Sequence, residues 1–384
     1  MRHFTPVLVF VLLVVGCGGS DAAEAWVWDL PETVPEPRVP ENNPMSVDKV
    51  ELGRFLFYDQ RLSGNQTQSC GSCHVQELAF TDGLAQAVGS TGQVHPRSSM
   101  SIVNSGYAAS LTWANETLVR LERQALVPMF GEDPVELGMA NREDELLERL
   151  RGDARYPEMF AAAFPDERDP ISLDSITKAL AAFQRSVTSF NSKVDRWQQG
   201  DRTALNESEQ RGMALFFGGT NAAGVADAFE CFHCHGGFLF SQSSDDAGQV
   251  FDQKFFMNNG LYNLDEQGSY PPGNEGLFDT TGEVTDKGRF KPPSLRNVAL
   301  TAPYMHDGSI ETLEQVIDHY ARGGRLIESG PYAGDGRDNP NKSALLNGFA
   351  ITEQEKQDLI AFLRALTDEE LLTNPAYSDP FADP

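Results

Sequence analysis

The sequence predicts a mainly α-helical protein made of two similar halves, and three observations predict it. The pentapeptide Cys70-Gly71-Ser72-Cys73-His74 returns as Cys231-Phe232-His233-Cys234-His235. A second pattern, Gly-x-x-Leu-Phe, stands a short step before each, at 53–57 and 212–216. Apolar residues recur at helical spacing around both copies, as at Leu52, Phe55 and Leu56.

Two cysteines three apart with histidine next is the attachment motif of a c-type haem. The thiols must reach two vinyl groups on one porphyrin edge, and the histidine must reach the iron beneath the ring. Cys70, Cys73, Cys231 and Cys234 are therefore the expected attachment points, with His74 and His235 as proximal ligands. A paired Cys-x-x-Cys zinc site is the competing expectation, and a single unit could be a redox dithiol. Neither explains a histidine directly after both. His233, inside the second motif, is a spacer. The fold class is then two cytochrome c-like domains from a duplication, each with one covalently bound c-type haem.

Taken in order, residues 1–16 read as a lipoprotein-type signal peptide. Arg2 gives a positive start, and Val7 to Val15 are too few to span a bilayer. Val14-Val15-Gly16-Cys17 resembles a lipobox, which implies a lipid-anchored Cys17 and a periplasmic address. Of five cysteines it is the one outside the haem motifs. An ordinary signal peptide cut near Ala22 or Ala23 is the alternative. Residues 17–45 read as a polar tether, with Trp26 and Trp28 either in exposed linker or docked onto the body. Residues 46–200 are the N-terminal haem domain and 201–370 the C-terminal one, joined near Gly200 to Leu205.

Helices are expected over Ser46–Tyr58, Glu116–Leu126, Glu143–Arg151 and Ser172–Phe190, the last being the longest. In the second half, Asn206-x-x-Glu209 caps a helix through Met213 and Phe216. Others run from Ile310 to Tyr320 and from Glu353 to Leu366, the last capped by Thr352-x-x-Glu355. Gly236 to Lys287, rich in glycine and aromatics, reads as long loops. Residues 371–384 close the chain as a loose acidic tail. The chain of 384 residues has a formal net charge of −26, which excludes nucleic acid and anionic membrane as partners. A basic protein partner is compatible, although such a surface chiefly confers solubility.

Each haem iron needs its sixth position accounted for. A six-coordinate haem passes electrons and an open one binds peroxide. Beyond the motifs, the mature chain has only His95, His306 and His319.

The segments Lys291-Pro292-Pro293-Ser294-Leu295-Arg296-Asn297-Val298 and Thr301-Ala302-Pro303-Tyr304-Met305-His306-Asp307-Gly308 resemble the second-haem region of bacterial di-haem cytochrome c peroxidases and MauG. The resemblance spans about Val47 to Leu366, including Trp113 through Glu136. It implies that Trp113 relays electrons between the haems. It places Gln124 and Pro128 in the first distal pocket and Glu136 as its catalytic acid–base. The spacing from Pro128 to Glu136 is two residues longer than usual, so Glu132 is a rival. At the second distal position peroxidases carry methionine and MauG carries tyrosine; here the match is Tyr320, with His319 beside it as competitor. No histidine stands at the matching place in the loop Val88–Gly92, which implies an open first haem, although His95 could swing onto the iron. The family's calcium site would fall on Thr301, Pro303 and Ser98, the last in place of asparagine; Asn104 is a more distant substitute.

The resemblance implies a hydrogen-peroxide-dependent oxidase of the MauG type, oxidising a side chain of a partner protein at long range. Its narrower likeness is to MauG-like enzymes that accompany methanobactin biosynthesis and modify a partner's tryptophan. The alternatives are a periplasmic peroxidase taking electrons from a small cytochrome, and a non-catalytic electron-transfer cytochrome.

Overall fold

The computed structural model describes residues 24–225, 229–245 and 255–382. The expected leader and Cys17 lie outside the described residues. The first half contains α1 (Val47–Tyr58), α2 (Cys70–Cys73), α3 (Leu121–Gln124), α4 (Leu126–Phe130), α5 (Glu143–Arg151), α6 (Tyr156–Ala163), α7 (Leu173–Ser186) and α8 (Lys193–Gln198). The second contains α9 (Glu207–Phe216), α10 (Phe278–Thr281), α11 (Leu313–Ala321) and α12 (Glu353–Ala365). Two small antiparallel pairs complete it: β1 (Met257–Asn258) with β2 (Arg289–Phe290), and β3 (Leu326–Ile327) with β4 (Gly334–Asp335).

The repeated Gly-x-x-Leu-Phe marks the same packing event in each half. Helix α1 crosses α7 at Gly53, where a Cβ would lie 2.0 Å from the Ala179 carbonyl oxygen. Helix α9 crosses α12 at Gly212, where a Cβ would lie 1.9 Å from the Asp358 carbonyl oxygen. Only glycine permits that approach. The following Leu56 and Phe57, and Leu215 and Phe216, are buried, with Leu56, Phe57 and Phe216 in the two principal cores.

The caps fall where the side chains dictate. Asn206 with Glu209 and Thr352 with Glu355 form reciprocal capping boxes, and Ser46 and Ser172 cap α1 and α7. Three expected helices are shorter than their periodicity suggested. Residues 116–120 are not helical, because the Asn115 side chain captures the Thr117 N–H and hydroxyl in a local turn. Only α3 and α4 remain of that stretch. Helix α7 ends at Ser186, since Asn104 bonds both the N–H and the carbonyl of Ser189. Helix α11 starts at Leu313, since Thr312 caps it while Ile310 pairs with Tyr304.

The expected tether and tail are both held. Trp26 packs on the first core and edge-on against Trp28 at 5.8 Å, and Ala25 bridges to Ser46. Asn43 is buried, donating to Glu122 and to the Lys178 carbonyl. At the other end Leu371 is buried in the first core, and Gln76 donates to the carbonyls of Leu371 and Asn374 at 2.8 and 2.9 Å. The Tyr377 hydroxyl donates to the Ser186 carbonyl at 3.0 Å. Polar, proline-bearing composition resembles linker, yet here it supplies backbone carbonyls that side chains of the first half bind.

Gly53→Ala and Gly212→Ala are each expected to destabilise the haem-loaded protein by about 1–3 kcal/mol in denaturant titration, overpacking outweighing the helix-propensity gain.

Candidate active site

The two Cys-x-x-Cys-His turns sit in separate cavities. Cys70, Cys73 and His74 line one of 720 Å³ in the first half. Cys231, Cys234 and His235 line one of 310 Å³ in the second. The histidines are oriented alike. His74 donates from Nδ1 to the Phe80 carbonyl at 2.9 Å. His235 Nδ1 lies 3.3 Å from the Phe240 carbonyl and 3.2 Å from that of Pro293. Phe80 and Phe240 adopt φ of 60° and 52°, which turns their carbonyls toward the rings. A proton committed to Nδ1 leaves Nε2 as the free lone pair, as iron ligation requires.

Burial lowers the pKa of both imidazoles, His235 to about 4, so both stay neutral. The two cysteine pairs cannot share one zinc ion from separate cavities. No cluster of three or more His, Cys, Asp or Glu suited to a metal ion occurs among the described residues. Two thiols, an oriented imidazole and an adjoining cavity, present twice, fit two c-type haems.

The first cavity also gathers Gln124, Pro128, His95 and Glu136. Glu132 is exposed and lies outside it. The chain turns at Asp133 and Pro134, which with Val135 line the cavity beside Glu136. There the Glu136 carbonyl accepts from the Ser90 N–H at 2.7 Å. Burial raises the Glu136 pKa to about 6. His95 Nδ1 accepts from the Arg97 N–H at 3.3 Å, so Nε2 carries the proton. That Nε2 lies 3.7 Å from Glu136 Oε1. His95 thus faces the carboxylate within the cavity. Arg97, beside it, is itself paired with Asp279 at 2.7 Å across the two halves.

Tyr320 lines the second cavity together with Cys231, Cys234 and His235. His319 does not line it; its Nε2 donates to the Asn259 carbonyl at 2.9 Å. Neighbours on a helix point about 100° apart, and α11 turns the tyrosine inward. Burial and the nearby Cys234 push the phenol up to about 12, with the Asn259 side chain acting the other way. Trp113 lines both cavities and a third, of 130 Å³, between them, its indole N–H donating to the Ser98 carbonyl at 2.9 Å.

That third cavity holds the expected calcium positions Ser98, Thr301 and Pro303, but with neutral oxygens alone its affinity for a dication would be low. Calcium takes six to eight oxygens, with affinity set by their charge. No carboxylate lines this cavity, whereas Lys291 and Arg296 do. The Lys291 ammonium donates to the Ser110 carbonyl at 2.6 Å. Asn104 is committed at both ends to Ser189.

Sequence reasoning named His306 without giving it a place; it is buried, stacked on Phe290 at 3.6 Å, and lines the second cavity. One feature was missed altogether. Arg97, with Asn274 and Asp279, ties the 88–97 loop to the second half. The partners are some 180 residues apart, so no local pattern signals them.

Comparison with known proteins agrees with this geometry. A family model, Di-haem cytochrome c peroxidase, matches residues 47–203. The chain is 33% identical over 390 residues to the methylamine utilization protein MauG of Methylorubrum extorquens, covering 96% of this chain and 97% of that one. It is 37% identical over 355 residues to the cytochrome-c peroxidase IdrP1 of Pseudomonas sp. strain SCT, covering 88% and 86%. The solved structure of a MauG-like protein associated with microbial copper homeostasis aligns with TM-score 0.89 and 53% identity, over 93% of this chain and 100% of that one. The chain belongs to the di-haem cytochrome c peroxidase and MauG family. It is accordingly an oxidoreductase acting on peroxide.

Two outcomes are expected. The rate of reaction with peroxide should rise with pH through about 6, the Glu136 pKa, because the protonated carboxyl cannot accept a proton. Stopped-flow spectroscopy from pH 5 to 8 measures this. Excess EGTA should shift the melting temperature by less than about 1 °C, the response of a protein that loses no structural ion.

Proposed function

We propose that this protein is a MauG-type oxidase, using hydrogen peroxide to oxidise a tryptophan or tyrosine side chain of a docked partner protein. The observation that carries the reading is the pairing in the second cavity: Tyr320 lies on the wall of the cavity holding His235, and His319 is turned away. An oxygen donor is hard and favours higher oxidation states, whereas the methionine of a peroxidase is soft and favours the reduced metal. Trp113, bordering both cavities, supplies the bridge between centres.

When bound, the haems supply iron that takes up peroxide oxygen and holds oxidising equivalents. The chain's own residues do the rest. Glu136 takes the proton from one peroxide oxygen and delivers it to the other, so that the departing oxygen leaves as water. The proton on His95 Nε2 faces the Glu136 carboxylate and steadies its charged form. Gln124 and Pro128 shape the distal wall. Trp113 passes electrons between the centres, and Tyr320 holds the second centre closed to exogenous ligands.

The lipobox-like start places the protein in the periplasm, anchored at Cys17. No helix among the described residues is long and apolar enough to cross a membrane. The likeness to a MauG-like protein associated with microbial copper homeostasis makes a copper-handling protein the natural partner.

The deciding test is an EPR spectrum of the oxidised protein with a redox titration. One high-spin and one low-spin ferric signal, with a low-potential second centre, is the expected result. Two low-spin signals, or a high-potential second centre reduced by a small cytochrome, would overturn it in favour of electron transfer or peroxidase activity. Glu136→Gln is expected to slow peroxide activation by about 10²–10⁴-fold and to abolish the step near pH 6. Tyr320→Phe should alter the low-spin signal, while His319→Gln should leave it in place.

A further inference from the structure

On one side of the second cavity the aromatic packing continues past the wall to the surface. Phe290 and His306 line the cavity and stack with planes 11° apart. Tyr270 meets both, at 6.0 and 6.2 Å between ring centroids. Tyr262 follows at 5.4 Å from Tyr270, and Tyr332 at 5.9 Å from Tyr262. Tyr270 and Tyr262 are buried, whereas Tyr332 is 45% exposed. It stands in the turn between β3 and β4, so the hairpin presents its ring to solvent.

Packing alone does not call for phenols here. Phenylalanine would fill nearly the same volume without the cost of burying a hydroxyl. Each buried hydroxyl also has a defined acceptor. Tyr262 donates to Asp307 Oδ2 at 2.6 Å, and Tyr270 donates to Asn258 Oδ1 at 3.0 Å. The first is a short, charge-assisted bond. A phenol gives up an electron far more readily when a base stands ready for its proton, and the Asp307 carboxylate is such a base.

We propose that Tyr270, Tyr262 and Tyr332 form a relay from the second cavity to the surface, making Tyr332 a one-electron oxidation site for an aromatic side chain of a protein partner. The relay rests on the peroxide-dependent oxidase reading given above. Hydrogen peroxide, two protons and two electrons yield two waters, and both electrons enter through the relay. Tyr270, whose hydroxyl proton stays in its bond to Asn258, gives an electron inward and is refilled at once by Tyr262, whose phenolic proton passes to Asp307. When Tyr332 refills Tyr262, that proton returns and the Tyr332 proton goes to solvent. The partner's phenol or indole then re-reduces Tyr332, losing one electron and one proton itself. Two such events balance one peroxide. The partner's reacting ring therefore docks at the β3–β4 hairpin.

The test uses the haem-loaded protein, hydrogen peroxide, a nitroso spin trap and peptide mass spectrometry, with no partner present. The optical response of the haems to peroxide is followed in parallel. The expected result is covalent trap on Tyr332, reduced at least tenfold by Tyr262→Phe and by Tyr270→Phe. Each variant keeps the ring and removes the oxidisable hydroxyl. Asp307→Asn, which preserves shape and the hydroxyl contact but removes the base, should lower the label several-fold even if a tyrosine variant folds poorly. A normal optical response with Tyr332 unlabelled, or labelled equally in all variants, would overturn the relay. Absence of any optical response in the wild type would overturn the peroxide reading beneath it.

Discussion

Close approach of two helix pairs, at Gly53 and at Gly212, is the constraint on which the rest of this structure depends. Each crossing brings one helix backbone against another with no room for a Cβ. That contact fixes the depth of Leu56 and Phe57 in one half and of Leu215 and Phe216 in the other. Phe57 in turn packs 6.3 Å from His74, and Phe216 packs 6.0 Å from Phe240, whose carbonyl orients His235. The histidines are thereby held on rigid supports, and a fixed Nδ1 proton keeps the opposite nitrogen free for metal.

Each half carries one Cys-x-x-Cys-His turn beside a cavity, and the surrounding loops make the two sites unequal. Around the first, the cavity wall carries Glu136, whose pKa burial raises to about 6. Around the second, the wall carries a buried phenol on α11. Both depend on segments remote in sequence. The Arg97–Asp279 pair and the Asn274 contacts fasten the loop bearing His95 to the second half. Trp113 lies where the halves meet, held through Ser98 and Lys291.

Much of this was legible in the chain. The attachment motifs, the glycine repeat, the capping boxes and the helices at 47–58, 143–151, 207–216 and 353–365 follow from local chemistry. Helices that a neighbouring asparagine interrupts were not, because Asn115 and Asn104 act through bonds that periodicity does not register. Nor was the docking of the termini. Residues 24–45 and 371–382 read as linker by composition, yet their carbonyls satisfy Tyr107, Gln76 and Tyr58.

By itself the sequence determined the two Cys-x-x-Cys-His motifs, the helical frame and a short set of rivals for each distal position. Those are properties of neighbours along the chain: thiol spacing, side-chain caps and a small residue at a helix crossing. Only the tertiary structure shows which of the rivals face a cavity. Glu136 faces the first cavity and Glu132 faces solvent, while Tyr320 faces the second and His319 bonds a carbonyl. Such choices turn on the direction of a side chain relative to a cavity whose walls come from both halves. That direction exists only once the halves are packed together.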